Sequence, residues 1–187
     1  MATYPDQSLL TADEFLRIDF GPDIKAELDE GVIGVMRDRS VEQARIQANF
    51  MRFLGPALRG TGYRPFGSVI GVRTHDHSVR RPDVSVYGSD RASAANDALK
   101  AFDDPCVVIE VVSPSTRPKA YCVKLYEYRE LPSVDTIVFA DPSTERLRIV
   151  QRISPNGWSD QSFTEPSDLP LPSLNLTMPH AEIFARD

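Results

Sequence analysis

The chain has 187 residues, of which 41% are hydrophobic and 26% charged, and its formal net charge is −6. These values are ordinary for a single globular domain over residues 1–187, and they allow a sizeable core. The polar N-terminus and the absence of long apolar runs argue against a signal peptide or membrane span, and the net negative charge argues against an extended DNA-binding surface.

In chain order, the N-terminal part predicts a capped helix, a β-hairpin and a second, longer capped helix. Their ranges are 11–18, 25–36 and 40–59. Both helices begin with a capping box, in which the N-cap side chain and the side chain three residues later bond to each other's backbone. The predicted apolar stripe of the longer helix consists of Ala44, Ala48, Met51, Leu54 and Leu58.

The rest of the chain predicts mostly strands. They are expected at 63–74, 81–86, 106–112, 134–140, 147–153 and 158–163. Helices are expected at 118–131 and 179–185, a loop or irregular helix at 88–104, and a surface crossing at the proline-rich segment 166–172. Helices that interrupt a mostly β chain predict an α/β (mixed α+β) fold, with a central mixed sheet flanked by helices.

The two cysteines bear on the cellular compartment. Cys106 lies in a predicted strand and Cys122 in a predicted helix. We expect both to be buried free thiols rather than a disulfide, which is typical of a reducing compartment. Together with the polar N-terminus, this predicts a cytoplasmic location.

One acid interrupts the most hydrophobic run of the chain, Cys106–Val112. The run is rich in β-branched residues and closes at a Ser113-Pro114-Ser115 turn, so it predicts a strand buried on both faces. Glu110 in such a strand is costly unless it is paired, protonated or bound to a metal. A second acid, Asp83, stands at the entrance of an earlier strand that we expect to be its neighbour.

A lysine interrupts the apolar stripe of the predicted helix 118–131. Lys124 lies between the stripe positions Tyr121 and Tyr128. Either the aliphatic part of its side chain lies along the apolar surface and the ammonium reaches solvent, or the ammonium points at an acid. A helix that packs back along the sheet would bring Lys124 level with Glu110, and we favour this second alternative.

Two acids and a lysine brought together predict phosphate chemistry. Adjacent carboxylates repel each other, and a hard divalent cation such as Mg²⁺ relieves the repulsion. A lysine beside such a cation can stabilise the charge that develops during phosphodiester hydrolysis. The alternative is a buried salt-bridge network of Asp83, Lys124 and Glu110 with a purely structural role.

Two other groups are explained more simply by structure. The segment His75-Asp76-His77 places two imidazoles on one side of an extended chain, but a polar turn is the simpler interpretation. Several arginines between positions 37 and 59 form either a solvated helix face or a phosphate track, and we favour the solvated face.

Several segments are, taken together, typical of one protein family. They are Pro82-Asp83, Val108–Thr116, Lys124, Tyr128 and Asp141-Pro142. They resemble the Uma-two-type family of restriction-endonuclease-like proteins, which belongs to the PD-(D/E)XK nuclease superfamily. The resemblance runs from Leu10 to Phe184 and is most specific from Ile109 to Thr116.

This resemblance implies a restriction-endonuclease-like core, often assembled as a homodimer. It implies that Asp83 and Glu110 bind Mg²⁺ or Mn²⁺, with the Val111 carbonyl as a third ligand. The lysine of the superfamily usually stands two residues after the glutamate, where this chain has Val112. Lys124 matches the place to which the similar family has moved it.

The resemblance also implies a role for Glu27, which matches the family's glutamate before the hairpin turn; the alternative is an exposed strand acid. The chain departs from the family pattern at three places: Gln43 stands where the family typically has a histidine, Ala120 where it has an acid, and Thr136-Ile137 where it has an aromatic pair. The departures leave Asp83, Glu110 and Lys124 in place. The resemblance as a whole therefore predicts a Mg²⁺-dependent nuclease that acts on nucleic acid, with DNA favoured over RNA. The alternative is a nuclease-fold protein that binds nucleic acid or a protein partner without cleavage.

Overall fold

The structure is a computed structural model that describes residues 9–21, 24–36, 39–92, 94–112 and 118–186. The predicted Ser113-Pro114-Ser115 turn lies outside these ranges. Within them, the α-helices are α1 (Ala12–Arg17), α2 (Val41–Ala57), α3 (Pro118–Glu130) and α4 (His180–Ile183). No helix in the described ranges has the length and apolar character needed to cross a membrane.

The strands of the described ranges form two larger sheets and a two-stranded ribbon. They are β1 (Ala26–Asp29), β2 (Val32–Val35), β3 (Tyr63–Gly67), β4 (Gly71–His75), β5 (Ser78–Arg80), β6 (Val84–Gly88), β7 (Ala101–Phe102), β8 (Val107–Val111), β9 (Thr136–Asp141), β10 (Arg146–Ser154), β11 (Gly157–Ser162), β12 (Leu169–Leu171) and β13 (Leu176–Met178). Two short 3₁₀ helices, Ser89–Ala92 and Ala94–Asn96, lie in the predicted irregular segment 88–104, which also contains β7. The predicted mixed α+β fold is confirmed.

Strand β8, which carries Glu110, lies inside a six-stranded sheet of order β11-β10-β9-β8-β6-β3. It pairs in parallel with β9 and antiparallel with β6. All of its residues are buried, as the apolar run predicts. The sheet is therefore mixed at its centre, and helices cover both faces of β8.

Side-chain alternation along β8 separates two cores. Val107, Ile109 and Val111 pack with residues of α2 and of the C-terminal segment. Val108 packs in a second core with residues of α3. Glu110 follows the same alternation as Val108, so it faces α3.

The second sheet has the order β2-β1-β5-β4-β7 and begins with the predicted hairpin β1–β2. The predicted single strand at 63–74 is in fact two strands in different sheets. The Ile70 amide donates to the Gly67 carbonyl at 3.2 Å and closes a turn between β3 and β4. This turn sends the chain from the first sheet to the second.

The predicted apolar stripe of α2 is partly wrong. Leu54 is fully buried, but Ala44 and Ala48 are exposed, and Ile46 and Phe50 are buried in their place. The reason is area, because isoleucine and phenylalanine remove far more apolar surface from water than two alanines.

Two further predictions about exposure are wrong. The segment 166–172 does not only cross the surface, because Leu169 and Leu171 are fully buried in β12, which pairs with β13. Their alternation turns Pro170 outward, so a proline-rich sequence still forms a half-buried strand. Cys122 is an exposed free thiol, and the free thiol Cys106 is only partly buried.

Candidate active site

Lys124 of α3 lies between two carboxylates that come from different sheets. Its Nζ donates to Glu27 Oε1 at 2.8 Å and to Glu110 Oε1 at 3.1 Å. The exposed fractions of the Lys124, Glu27 and Glu110 side chains are 17%, 13% and 12%. Lys124 therefore points at acids rather than into solvent.

Tyr128 supplies a second donor to Glu110. It follows Lys124 by one helical turn, so both side chains lie on the same face of α3. Its fully buried hydroxyl donates to Glu110 Oε1 at 2.7 Å. Within the described part of the chain, Oε2 of Glu110 accepts no hydrogen bond, which leaves one oxygen of a buried carboxylate available to a ligand.

Asp83 stands opposite Glu110 at the start of β6. The pair Val84 and Ile109 is in register, so the next positions along this antiparallel ladder are Asp83 and Glu110. Asp83 is 3% exposed, and its Oδ2 accepts a hydrogen bond of 2.7 Å from the Val111 amide. Its Oδ1 forms an ion pair with Arg39. The cation against Asp83 is thus Arg39, whereas Lys124 bonds to Glu27 and Glu110.

Arg39 is a site residue that the sequence analysis missed, and Gln43, which it explained as a helix cap, also reaches the site. The Arg39 side chain is only 18% exposed and turns inward, so it is not part of a solvated helix face. Gln43 belongs to the predicted capping box of Ser40, and its Nε2 also donates to the Val111 carbonyl at 3.2 Å. Arg39 directly precedes that N-cap, and nothing in the sequence distinguishes it from the neighbouring arginines.

Glu27 and Lys124 hold each other in charged form, whereas Tyr128 stays neutral. Burial alone would raise the pKa of Glu27, but Lys124 and the Arg81 amide lower it below its ordinary value. Burial alone would lower the pKa of Lys124, but Glu110 and Glu27 raise it. Burial and the neighbouring Glu110 keep the pKa of Tyr128 well above its ordinary value, so its hydroxyl remains a donor.

The donor set fits a hard divalent cation. The Asp83 and Glu110 carboxylates and the Val111 carbonyl are oxygen ligands of the kind that Mg²⁺ and Mn²⁺ prefer. The Val111 carbonyl accepts one bond from Gln43, and a carbonyl oxygen has a second lone pair. The Asp83, Glu27 and Glu110 carboxylates lie against Lys124 and Arg39. Arg80 also lies 3.9 Å from Glu27, but it is bonded to two further acids, Asp29 and Glu127, so the whole set keeps a net negative charge that a cation would offset.

A second group of potential ligands lies beyond this site. His75 Nε2 is 3.2 Å from Glu30 Oε1 and 3.8 Å from Glu127 Oε1, and these three side chains could hold a metal ion. However, His75 Nδ1 accepts from the His77 amide at 3.3 Å, which places the proton of a neutral ring on Nε2. Arg80 also donates to both oxygens of Glu127. In this state His75 is a donor to the acids rather than a ligand.

The two imidazoles of the segment 75–77 do not form a metal pair. His77 Nδ1 lies 3.1 Å from the Leu10 carbonyl, whereas His75 faces Glu30 and Glu127. The turn between β4 and β5 sends the two rings to different neighbours, as the simpler interpretation of this segment predicts.

Comparison with known proteins agrees with this architecture. A crystal structure of a putative nuclease belonging to DUF820 from Anabaena variabilis superposes with a TM-score of 0.76 at 20% identity, covering 94% of this chain and 98% of that one. At this identity the likeness shows a shared fold. No curated protein matches the chain. The profile of the family described as "Uma2: Putative restriction endonuclease" matches residues 12–179. Because the match spans most of the sequence, this chain belongs to the Uma2 family of restriction-endonuclease-like proteins.

Proposed function

We propose that this protein is a nuclease that hydrolyses phosphodiester bonds in nucleic acid, with Mg²⁺ or Mn²⁺ as its cofactor and DNA as its favoured substrate. The observation that carries the proposal is Lys124, buried between Glu27 and Glu110, with Asp83 directly before Val84, the ladder partner of Ile109. A structural lysine needs one acid, whereas this arrangement keeps an excess of negative charge that suits a divalent cation. The proposal includes a homodimer in the cytoplasm.

The cation would be held by the Asp83 and Glu110 carboxylates and the Val111 carbonyl. When bound, it would withdraw charge from a phosphate oxygen and make a nearby water more acidic. Tyr128 fixes the orientation of Glu110 by bonding to Oε1, so that Oε2 is the oxygen left for a ligand.

Lys124 stabilises the charge that develops on the phosphoryl oxygens. During hydrolysis a water oxygen bonds to phosphorus while the bond to the leaving oxygen breaks, and negative charge accumulates on the phosphoryl group. Because Glu27 and Glu110 raise the pKa of Lys124, it stays protonated and acts as a fixed cation rather than as a base. Glu27 holds the ammonium in place through a bond of 2.8 Å.

A protein that binds without cleaving is the second candidate function. Two contacts favour it: Arg39 forms an ion pair with Asp83, and Gln43 bonds to the Val111 carbonyl. Both contacts engage groups that would otherwise be free to bind a cation. In this alternative the fold presents a surface for nucleic acid or a protein partner, and the acids and Lys124 form a structural network.

Cleavage assays distinguish the two functions. Wild-type protein should cut nucleic acid in Mg²⁺ or Mn²⁺ and fail in Ca²⁺ or chelator. Asp83→Ala and Lys124→Ala should each abolish cleavage, because removing one member of a cooperating set costs nearly as much as removing all. Asp13→Ala is the control, since Asp13 is 60% exposed on α1. If pure protein cuts neither single- nor double-stranded DNA or RNA, the binding function replaces the nuclease.

A further inference from the structure

Arg81, two residues before Asp83, is a half-buried cation that Glu27 attracts without forming an ion pair with its side chain. Its Nε donates to the Ala26 carbonyl at 2.9 Å, and its Nη1 to the Val69 carbonyl at 2.5 Å. Within the described part of the chain, no carboxylate forms an ion pair with it. The adjacent Arg80 differs, because it bonds to the carboxylates of Glu127 and Asp29.

An unpaired guanidinium that has lost part of its water is costly to keep. The two carbonyls fix the plane of the Arg81 side chain but do not neutralise its charge. Within the described residues, Nη2 makes no hydrogen bond, so donors remain for a ligand. A planar guanidinium with free donors matches the oxygens of a phosphate better than it matches water.

Arg81 lies at the edge of the candidate active site. Its backbone amide donates at 2.7 Å to Glu27 Oε1, the same oxygen that accepts from Lys124. Its side chain reaches the turn between β3 and β4 at Val69, which is 73% exposed. An anion held by Arg81 would therefore lie beside Lys124 and the acids.

A second cation, Lys25 just before β1, contacts the same turn. Lys25 is exposed, and its Nζ contacts Ser68 Oγ at 3.4 Å. The same Oγ contacts Gln47, whose Nε2 also donates to the Asp83 carbonyl at 2.9 Å. Within the described residues, Lys25 also forms no ion pair. We call Lys25 and Arg81 the cationic edge of the site.

We propose that the cationic edge binds a backbone phosphate of a nucleic-acid strand, next to the phosphate that is cleaved, with Arg81 as the main contact. This inference rests on the proposed function for its substrate class. It accounts for a locally basic edge on a chain whose net charge is −6. Arg81 is then a substrate-binding residue, and its hydrogen bond to the Ala26 carbonyl of β1 serves to orient the guanidinium.

The test measures binding in chelator, where no cleavage occurs. Fluorescence anisotropy of a labelled single-stranded oligonucleotide is recorded with wild type, Arg81→Gln and Arg81→Lys at several salt concentrations. Arg81→Gln should weaken binding several-fold and reduce the salt slope of log K by about 0.7, the value for one phosphate contact on a single strand. Arg81→Lys should keep the wild-type slope because it keeps the charge.

Arg73→Gln is the matched control. Its guanidinium already pairs with Asp13 at 2.9 Å and with Asp76 at 3.5 Å, so its loss should leave the slope unchanged. Adding Lys25→Gln to Arg81→Gln should reduce the slope by about a second such step. Thermal melts of each variant show whether a loss of binding follows from a loss of folding.

Each outcome bears on one claim. A wild-type salt slope in folded Arg81→Gln would overturn the cationic edge, and so would wild-type protein that does not bind the oligonucleotide. Binding with the expected slope but no cleavage in Mg²⁺ or Mn²⁺ would leave the edge standing and remove the nuclease. Cleavage by the wild type in Mg²⁺ or Mn²⁺, together with an unchanged salt slope in Arg81→Gln, would support the nuclease and overturn the cationic edge.

Discussion

The charge balance around Lys124 predicts that Glu110→Gln and Lys124→Met differ sharply in stability without metal. Lys124 Nζ lies 2.8 Å from Glu27 and 3.1 Å from Glu110, so Glu110→Gln leaves one ion pair intact. The amide keeps the shape of the side chain and can still accept from Tyr128. Losing one of three carboxylate charges also relieves repulsion. We expect the free energy of unfolding to change by at most about 1 kcal/mol.

Lys124→Met leaves Glu27 and Glu110 facing each other without the ammonium between them. Removing one partner of a buried ion pair typically costs about 3–5 kcal/mol, because the remaining charge is uncompensated. The loss should be largest at neutral pH. It should shrink in acid, where one of the two carboxyl groups takes up a proton and the repulsion ends.

Urea unfolding in chelator measures both effects. Lys100→Met is the control for loss of a lysine charge, since Lys100 is exposed. Addition of Mg²⁺ at a hundredfold excess over its Kd should stabilise the wild type by about 2.7 kcal/mol, and the Glu110→Gln variant far less. A loss of 3 kcal/mol or more in Glu110→Gln, with no effect of Mg²⁺ on the wild type, would refute this reasoning and support a structural network.

Three other substitutions test individual contacts of the site. Tyr128→Phe removes the donor to Glu110 Oε1 and should cost about 2 kcal/mol in urea unfolding, the value of a bond to a charged group; an unchanged stability would contradict that bond. Folding lowers the pKa of Glu27 below 4.5, so its stabilisation is present above that pH and is lost as the pH falls through the folded-state pKa. The stabilities of wild type and Glu27→Gln should therefore converge in acid, and a constant difference would argue against this shift. Arg39→Ala frees Asp83 and should lower the Mn²⁺ concentration that gives half-maximal thermal stabilisation, whereas a higher concentration would mean that Arg39 supports the cation site.

The site residues that could be predicted from the sequence are charged residues that interrupt an apolar pattern. Glu110 breaks an apolar strand and Lys124 breaks an apolar helical stripe, and each is costly in isolation. The fold then brings them within 3.1 Å of each other. Glu27 was identified only through the family resemblance, because an acid in a short strand does not interrupt an apolar pattern.

The parts that could not be predicted depend on contacts between segments distant in sequence. Arg39 looks like one more arginine of a charged segment, and only the packed structure turns it towards Asp83. The sequence also did not reveal that the predicted strand 63–74 is divided into β3 and β4. Val69 and Ile70 favour strands, and they outweigh the turn signal of Gly67, Ser68 and Gly71 around them.

The central claim is that Asp83 and Glu110 bind a divalent cation, and crystals soaked in Mn²⁺ test it most directly. The anomalous signal of Mn²⁺ should appear between these two carboxylates, with the Arg39 guanidinium displaced from Asp83. Mn²⁺ bound only by Glu30, His75 and Glu127, with Arg39 still against Asp83, would contradict the claim.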